Sequence, residues 1–356
     1  MTGFDLLLIG YGNVARRFES LLAEQRPSLA RIVGIATRHG CAYGPSGVSA
    51  FRRTHGPAKA GPYQPDTLPF LRDALRRSAA AARQRRLVVV ETTTLDIERG
   101  EPAIGHIRTA LAGGAHVVTA NKGPVAFAYR RLAKAAARAD RRFLFEGAVM
   151  DGVPIFNLVR ETLPAVRILG FRGVVNSTTN FILTAMEQGQ RFEDALAEMQ
   201  ARGVAEADAS LDVDGWDAAA KTAALANVLL GATITPKDVE RQGIGPATGP
   251  LARAAKAAGR RLKLVVRADR AGRTVTARVA PEEVPGDDLL AGLEGQQNAL
   301  ILKTDVLEEI AIVQRSGSLT QTAYALLSDL IAIERGLRGR PATRRSPRPA
   351  RRRRTP

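Results

Sequence analysis

The N-terminal part of the chain alternates short apolar runs with segments of helical periodicity. The apolar runs have the length of strands and occupy residues 5–10, 31–36, 87–91, 115–119 and 143–146. Amphipathic segments lie between them, and the clearest cover residues 13–22, 71–85 and 101–113. Strands that alternate with helices predict an α/β unit built on a parallel sheet. Residues 40–69 are rich in glycine and proline and lack a clear period, so we predict a long loop there.

The second half of the chain has a different pattern. A helical segment at 155–162 is followed by strand-like segments at 168–175, 262–268 and 274–280, and a last apolar helix covers 321–334. This order predicts an α+β domain over residues 149–314, with an open mixed sheet backed by helices. Because open sheet edges often close by pairing with a second subunit, we also predict a homodimer.

A glycine-rich turn follows the first predicted strand. Gly10 allows a tight turn, Gly12 lets the backbone approach a pyrophosphate, and the small Ala15 permits close packing of helix and strand. The alternative is a tight strand-to-helix turn without a ligand. Since an apolar strand precedes the turn and a helix follows it, we predict a Rossmann-type dinucleotide-binding domain over residues 1–148. Its first cofactor contacts are predicted at Gly10, Gly12, Asn13 and Val14.

The end of the second predicted strand indicates which dinucleotide is bound. NAD-preferring sites usually carry an acidic residue there for the ribose 2′-hydroxyl, but no acid occurs between Glu24 and Asp66. Thr37 and Arg38 stand at that position instead, where a 2′-phosphate would lie. We therefore predict NADP as the preferred cofactor, with NAD as the alternative if Arg38 is an ordinary surface arginine.

Five carboxylates fall within twelve residues in the middle of the chain: Glu206, Asp208, Asp212, Asp214 and Asp217. An alanine-rich segment begins after Trp216 and reads as the start of a helix. On that helix Asp217 and Lys221 are four residues apart and lie on the same face. The pattern therefore places an ammonium beside a carboxylate at the edge of an acidic loop.

Three interpretations of this acidic segment compete. It could be a solvated loop that caps a helix, with Lys221 as an ordinary partner of Asp217. A calcium-binding loop is excluded, because the position that needs a bidentate glutamate is Lys221 and the first ligand would be Ser210. The third interpretation is a polar substrate site, in which carboxylates hold an ammonium group of the substrate and Lys221 acts as an acid–base group.

Two long motifs favour the substrate site. The segment N-S-T-T-N-F-I-L-T begins at Asn176 and continues with A-E-A-D and D-V-D-G-W-D-A-A-A-K up to Lys221, and V-V-T-A-N-K-G-P surrounds Lys122. Together they resemble the signature of homoserine dehydrogenases, and the resemblance extends over nearly all of residues 4–335. It implies a small amino-acid substrate, because this family reduces aspartate β-semialdehyde to homoserine with a nicotinamide cofactor.

The resemblance also implies roles for individual residues. Lys122 and Lys221 are the candidate proton donors, and Asp217 would orient Lys221 and hold the polar end of the substrate. Glu206 and Asp212 would accept hydrogen bonds from the substrate ammonium. Asn176 and Thr178 would line the substrate pocket. Thr92, Thr93 and Lys122 would contact the cofactor on its nicotinamide side.

A monovalent cation is implied at the turn after residue 146. Its ligands would be the Glu146 side chain and the backbone carbonyls of Val149, Asp151 and Val153, since oxygen ligands suit a hard cation. The sequence departs from the family here, with Met150 and Asp151 in place of two small residues, and again at 315–317, where Arg-Ser-Gly replaces a glycine-alanine-glycine turn. The resemblance further implies that residues 315–336 return to the cofactor domain, and we expect no ACT-type regulatory domain with feedback control through it.

Charge and composition add a possible second partner. The net charge is +17, but ten arginines and no acid occur in residues 335–356, which leaves +7 for the rest. We predict that residues 337–356 form a disordered, arginine-rich tail that could contact an anionic partner such as a nucleic acid. No aromatic residue interleaves this tail, so a base-stacking surface is not predicted.

The remaining composition is that of an ordinary soluble globular protein. No apolar run has the length needed to cross a membrane, and no signal peptide is recognisable. Cys41 is the single cysteine, which excludes an intrachain disulfide and favours the cytoplasm. Together with the resemblance to homoserine dehydrogenases, these features predict an NADP-preferring homoserine dehydrogenase of amino-acid biosynthesis. The alternatives are a related dehydrogenase of another small semialdehyde, and a non-catalytic nucleotide-binding protein with a nucleic-acid-contacting tail.

Overall fold

The computed structural model describes residues 3–48, 67–81, 86–201 and 209–338, which form two six-stranded sheets with helices around them. The first sheet has the order β3-β2-β1-β4-β5-β6. Its strands are β1 (Phe4–Ile9), β2 (Ala30–Thr37), β3 (Gly40–Tyr43), β4 (Arg86–Glu91), β5 (His116–Thr119) and β6 (Phe143–Leu144). All neighbouring pairs are parallel except β2 with β3, which is antiparallel.

Strand β3 corrects the prediction of an irregular loop over residues 40–69. The chain reverses after β2 in a short turn, in which the Thr37 hydroxyl donates to the Gly40 carbonyl and the His39 amide donates to the Thr37 hydroxyl. A four-residue edge strand is too short to display an alternating pattern, which is why the sequence did not reveal it. Residues 49–66 of the predicted loop lie outside the described part of the chain.

Helices cover both faces of the first sheet. They are α1 (Asn13–Gln25), α2 (Thr67–Ala81), α3 (Ala103–Ala112) and α4 (Lys122–Arg138). Successive residues of β1 are buried on opposite sides: Leu7 and Ile9 belong to one core, and Leu6 and Leu8 to another. Burial on both faces explains the continuous apolar runs of these strands, as is usual for parallel sheets.

The second sheet is mixed, as predicted. Its order is β12-β11-β7-β9-β10-β8, and every neighbouring pair is antiparallel except β10 with β8. The strands are β7 (Ile168–Val174), β8 (Glu240–Arg241), β9 (Arg260–Ala271), β10 (Thr274–Pro285), β11 (Asn298–Thr304) and β12 (Glu309–Gln314). The chain is therefore an α/β protein with a Rossmann-type sheet and a second α+β unit.

The helices of the second half differ in extent from the predicted ones. They are α5 (Ser177–Glu187), α6 (Phe192–Ala201), α7 (Ser210–Val213), α8 (Trp216–Leu229), α9 (Thr248–Ala257) and α10 (Leu319–Arg338), with a π-helix at Leu158–Thr162 and 3-10 turns at Glu146–Ala148 and Pro236–Asp238. The predicted helix at 155–162 is thus mainly a π-helix. Part of the predicted acidic loop is the short helix α7.

Helix α10 packs on the first sheet rather than the second. It contacts α1, and Leu326, Leu327, Leu330 and Ile333 belong to the same core as Leu6, Leu8 and Phe18. Helix α10 therefore shares the core of the first sheet, while the assignment of residues 315–336 to that domain and the limits at 148 and 314 stay predictions. Within the described residues, no helix is both long enough and apolar enough to span a membrane.

One lysine is fully enclosed in the second unit. Lys263 of β9 is 0% exposed, and its ammonium donates to the Asn180 side-chain oxygen of α5 and to the Leu293 carbonyl. Burial, assisted by the charge of Arg261, lowers the pKa of Lys263 to about 8, although Glu187 and Glu294 oppose this shift. The lysine thus connects α5 to the loop between β10 and β11.

Candidate active site

Three charged side chains from two helices meet at one point. Lys122 is the first residue of α4, Asp217 is the second residue of α8, and Lys221 follows one turn later on α8. The Lys122 ammonium lies 3.1 Å from one carboxylate oxygen of Asp217, and the Lys221 ammonium lies 2.9 Å from the other. The contact depends on the packing of α4 against α8, which brings together residues far apart in the sequence.

Asn176 connects this cluster to a second carboxylate. Its side-chain NH₂ donates to Asp217 at 2.9 Å and to Asp212 at 2.7 Å, while its side-chain oxygen accepts from the Thr179 amide and caps α5. Asp212 also accepts a hydrogen bond from Thr178. The structure therefore brings together six of the seven predicted substrate and catalytic residues, with Asp217 at the centre. The seventh, Glu206, lies outside the described residues.

Burial and charge set opposite protonation tendencies in the two carboxyl groups. Burial disfavours the charged form of Asp217, but Lys221 and Lys122 outweigh it and hold the pKa of that carboxyl below its ordinary value. For Asp212, burial and the negative charge of Asp217 raise the pKa. Asp217 is therefore the permanent anion of the site.

Lys221 is the more enclosed of the two ammonium groups. Its side chain is 15% exposed, against 21% for Lys122, and it also donates to the Val175 carbonyl at 2.7 Å. Burial would lower the pKa of Lys221, but the Asp217 carboxylate raises it above its ordinary value. Lys221 is therefore protonated at neutral pH and can supply a proton.

The glycine turn before α1 has the geometry of a dinucleotide site. Gly10 has φ +86°, and a Cβ there would lie 2.6 Å from the Thr92 carbonyl oxygen, so only glycine fits. A Cβ on Gly12 would meet no atom within 4 Å, which leaves open space in front of the amides that begin α1 at Asn13. An open approach to a helix N-terminus suits the pyrophosphate of a dinucleotide.

A cavity of about 200 Å³ connects this turn to the charged cluster. It is lined by Val14, Thr92, Thr93, Leu95, Ala120, Asn121, Lys122 and Thr322. Four of the predicted cofactor residues thus share one cavity, and one of them, Lys122, also belongs to the charged cluster. A cofactor lying across α1 would therefore reach the cluster at its nicotinamide end.

Arg38 lies at the outer rim of the same sheet. It is exposed in the turn between β2 and β3, and its Nε donates to the His39 ring nitrogen at 3.0 Å. In the described part of the chain, no ion pair engages its guanidinium. The side chain is available to an anion at the end of β2.

The turn implied as a cation site has a strongly engaged glutamate. Glu146 is 3% exposed, and its carboxylate accepts hydrogen bonds from the amides of Ile155, Phe156 and Asn157. A carboxylate offers about four lone-pair positions, so at most one remains for a cation. Burial raises the pKa of Glu146. The side chain thus serves first as a cap for the segment that begins at Ile155, while Val149, Asp151 and Val153 would contribute only carbonyls.

Some residues of the site were missed by sequence reasoning. Glu91 is buried at the end of β4, where it accepts from the Thr93 amide and the Thr119 hydroxyl. Asn121 caps α4 and also donates to the Thr93 carbonyl. An asparagine directly before a predicted helix is a recognised capping signal and could have been identified. No sequence signal marked Glu91, because its role depends on neighbouring strands.

A buried aspartate on α10 was also missed. Asp329 is 0% exposed, accepts from the Glu146 amide at 2.8 Å and from the Asn157 side chain at 3.1 Å. Burial and the neighbouring Glu146 raise the pKa of Asp329 to about 7. Asp329 therefore ties α10 to the turn after β6.

The mostly parallel sheet, with its glycine turn and open helix N-terminus, is typical of dinucleotide-binding enzymes, and the ammonium–carboxylate cluster beside it is suited to acid–base chemistry. Comparison with known proteins specifies the family. A sequence model described as "Homoserine dehydrogenase" matches residues 154–331, and one described as "Homoserine dehydrogenase, NAD binding domain" matches residues 10–146. The chain therefore belongs to the homoserine dehydrogenase family, as the resemblance predicted.

Individual relatives match over nearly the whole chain. The NAD(+)-dependent homoserine dehydrogenase of Pseudomonas canavaninivorans is 36% identical over 344 residues, covering 94% of this chain and 97% of the relative. The homoserine dehydrogenase of Sulfurisphaera tokodaii is 34% identical over 93% of this chain and 98% of its own length. A crystal structure of a homoserine dehydrogenase from Thiobacillus denitrificans aligns with a TM-score of 0.77 at 30% identity, covering 94% of this chain and 74% of that one.

Proposed function

We propose that this protein interconverts L-aspartate 4-semialdehyde and L-homoserine by hydride transfer, with NADP as the preferred cofactor. The observation that carries the proposal is the contact of Asp217 with both Lys122 and Lys221 at the end of the cavity lined by Thr92 and Thr93. The reaction would serve threonine, methionine and isoleucine biosynthesis in the cytoplasm.

The charged cluster would manage the proton of the reaction. A reduced nicotinamide held beside Thr92 and Thr93 would supply the hydride for the aldehyde carbon. As the alkoxide develops, an ammonium of Lys221 or Lys122 donates a proton to its oxygen, directly or through a water. Asp217 holds both ammonium groups in place and keeps Lys221 charged until the transfer. Because both lysines contact the same carboxylate, either can be the donor.

The second carboxylate region would hold the amino-acid part of the substrate. Asp212 is connected to Asp217 by the Asn176 side chain, which donates a hydrogen bond to each. Together with Glu206, Asp212 would accept hydrogen bonds from the substrate ammonium. Asn176 and Thr178 would line the pocket between them. A positively charged substrate end is therefore placed on the acidic side of the site, and the aldehyde on the lysine side.

The preference for NADP rests on Arg38. Its guanidinium is exposed at the end of β2, and no acid occurs between Glu24 and Asp66 that would accept from a ribose 2′-hydroxyl. A 2′-phosphate would form a charge-assisted contact with Arg38. The relative from Pseudomonas canavaninivorans is named NAD(+)-dependent, so the proposed preference for NADP distinguishes this protein from that relative.

Two further assignments accompany this function. A homodimer would pair the open edges of the second sheet, where β12 exposes Val313 at 46%. A monovalent cation would bind the carbonyls of Val149, Asp151 and Val153 with the remaining lone pair of Glu146. Contact of residues 337–356 with nucleic acid is a separate property that homoserine oxidation does not require.

The test is oxidation of L-homoserine at mildly alkaline pH, with NADP and NAD in parallel and reduced cofactor followed by absorbance. Homoserine-dependent reduction that is faster with NADP is the expected result. Faster reduction of NAD would retain the enzyme and discard the role of Arg38. A folded protein that binds cofactor but oxidises no homoserine would contradict the proposed substrate.

A further inference from the structure

The side chain of Asp151 makes contacts that its implied role does not require. That role involves only the backbone carbonyl, yet the carboxylate accepts from the Thr322 hydroxyl at 3.0 Å and from the Gln314 side-chain NH₂ at 2.9 Å. Thr322 belongs to α10 and Gln314 ends β12. A single carboxylate therefore joins the turn after β6 to both units of the protein.

Close packing holds this carboxylate in position. A Cβ on Gly152 would lie 2.2 Å from the Gln321 carbonyl oxygen, and a Cβ on Gly317 would lie 2.6 Å from an Asp151 carboxylate oxygen. Asp151 itself has φ +48°, in the left-handed region that aspartate tolerates better than most residues. The turn at 151–152 is thus pressed against the start of α10, and two glycines are needed for that approach.

A row of buried amides continues from Asp151 toward the substrate side. Gln314 is 3% exposed and its side-chain oxygen accepts from Asn298 at 3.0 Å. Asn298 is 4% exposed and donates to the Ser177 hydroxyl at 2.8 Å. Ser177 is the first residue of α5, directly after Asn176. Hydrogen bonds therefore connect Thr322 with the residue beside Asn176.

Thr322 gives this connection a functional end. It lines the cavity that also contains Thr92, Thr93 and Lys122, so its side chain is part of the predicted nicotinamide pocket. A purely structural role for Asp151 would be to stabilise the positive N-terminal end of α10. That role would affect folding stability but would not depend on Thr322 in particular.

We propose that Asp151 is a positioning residue that fixes Thr322 against the cofactor cavity and links that wall through Gln314 to the start of α5. The inference rests on the proposed function, because the cavity is taken to hold the nicotinamide. Its prediction concerns cofactor affinity: loss of the carboxylate lets Thr322 and the first turn of α10 move away from the cofactor.

The experiment compares Asp151→Ala, Thr322→Val and the double variant by direct titration with reduced NADP and reduced NAD, followed by nicotinamide fluorescence in the absence of homoserine. We expect Asp151→Ala to weaken binding about tenfold, as for loss of a charge-assisted hydrogen bond. Thr322→Val should weaken binding in the same direction, and the double variant should be no weaker than Asp151→Ala alone, because the two residues act through one contact.

Kinetics and stability separate positioning from folding. With homoserine, Asp151→Ala should raise the KM for cofactor while changing kcat less. Asp305→Ala is the matched control, since Asp305 bonds Arg167 in the turn between β11 and β12, outside the cavity. It should leave cofactor affinity unchanged. A lowered melting temperature of Asp151→Ala with cofactor affinity within twofold of the unaltered protein would overturn the proposal.

The test remains decisive if Asp151→Ala does not fold. Thr322→Val and Asp151→Asn then carry it, and unchanged affinity in both would overturn the proposal, whereas weakened affinity in both at unchanged melting temperature would support it. If the unaltered protein binds cofactor but fails to oxidise homoserine, the proposed reaction fails while the effect of Asp151 on binding is still measured. If the losses of cofactor affinity in the two single variants multiply in the double variant, the two residues act independently and the proposal is overturned.

Discussion

Replacing Asp217 by asparagine removes the one negative charge that two ammonium groups share. Asparagine keeps the size of the side chain and can still accept from Asn176, so the change is mainly electrostatic. In the unaltered protein the Lys122 and Lys221 ammonium groups lie 3.1 and 2.9 Å from the carboxylate. In the variant they would face each other across a neutral amide.

The magnitude follows from these distances. At about 3 Å and an effective dielectric constant of about 20, each contact carries roughly 5 kcal/mol of Coulomb attraction, much of which the desolvation of the charges offsets. Removing one partner of a buried pair costs about 3–5 kcal/mol. The three side chains are 15–21% exposed, so we expect the lower end, a loss of about 3 kcal/mol in the free energy of unfolding.

Loss of the Asp217 charge should also change how the reaction rate depends on pH. The Asp217 carboxylate is the main group that raises the pKa of Lys221 against burial, so its loss should lower that pKa relative to the unaltered protein. In the reductive direction the lysine must be protonated, so the fall of the rate at alkaline pH should begin at lower pH in the variant. We also expect turnover to fall by about 10²- to 10⁴-fold, the usual contribution of a positioned acid–base group.

The assay is reduction of aspartate semialdehyde across a pH series, together with denaturant unfolding of each protein. Asp214→Asn is the matched control, because Asp214 is an exposed aspartate three residues earlier and makes no contact with either lysine. It should retain turnover and stability. If Asp217→Asn kept both its turnover and its alkaline limb, the shared carboxylate would have no part in the proton transfer.

Three other predictions test separate parts of the account. Arg38→Ala should raise the KM for NADP about tenfold and leave that for NAD unchanged in steady-state kinetics, and an equal rise for both would contradict a 2′-phosphate contact. Lys263→Met should remove a pH dependence of stability. Because the folded pKa of Lys263 is about 8 and its ordinary value is 10.5, the free energy of unfolding of the unaltered protein should rise by about 2 kcal/mol relative to the variant between pH 7.5 and 10. Denaturant unfolding measures this rise, and a difference that stayed constant with pH would contradict the lowered pKa. Gly10→Ala should abolish cofactor binding in a fluorescence titration, since its Cβ would meet the Thr92 carbonyl, and normal binding would contradict that close approach.

Much of the fold follows from periodicity alone. The apolar runs at 5–10, 31–36 and 87–91 match strands of the first sheet to within one residue at each end, because strands buried on both faces are apolar throughout. Strand β3 was not predictable, since four residues at a sheet edge carry no measurable alternation. The π-helix at Leu158–Thr162 is a single turn with i→i+5 hydrogen bonds, and five residues are too few for their spacing to distinguish it from an α-helix.

The site was predictable only where it is local. The spacing of Asp217 and Lys221 predicts their contact, because residues four apart on a helix are neighbours. The contact of Lys122 with the same carboxylate depends on two helices packing together, so it was not predicted; the resemblance implied only that Lys122 belongs to the same site. The departures from the family sequence at Asp151 and at 315–317 were likewise visible in the sequence. The sequence did not show that Gly317 lies against the Asp151 carboxylate.

In the proposed reaction the Lys221 side chain takes part in proton transfer to and from homoserine. A direct test is the turnover of Lys221→Ala in homoserine oxidation, paired with its affinity for reduced cofactor. We expect a fall in turnover of at least about 10²-fold with cofactor affinity nearly unchanged. A variant that bound cofactor normally and retained more than half of the turnover would remove Lys221 from the mechanism.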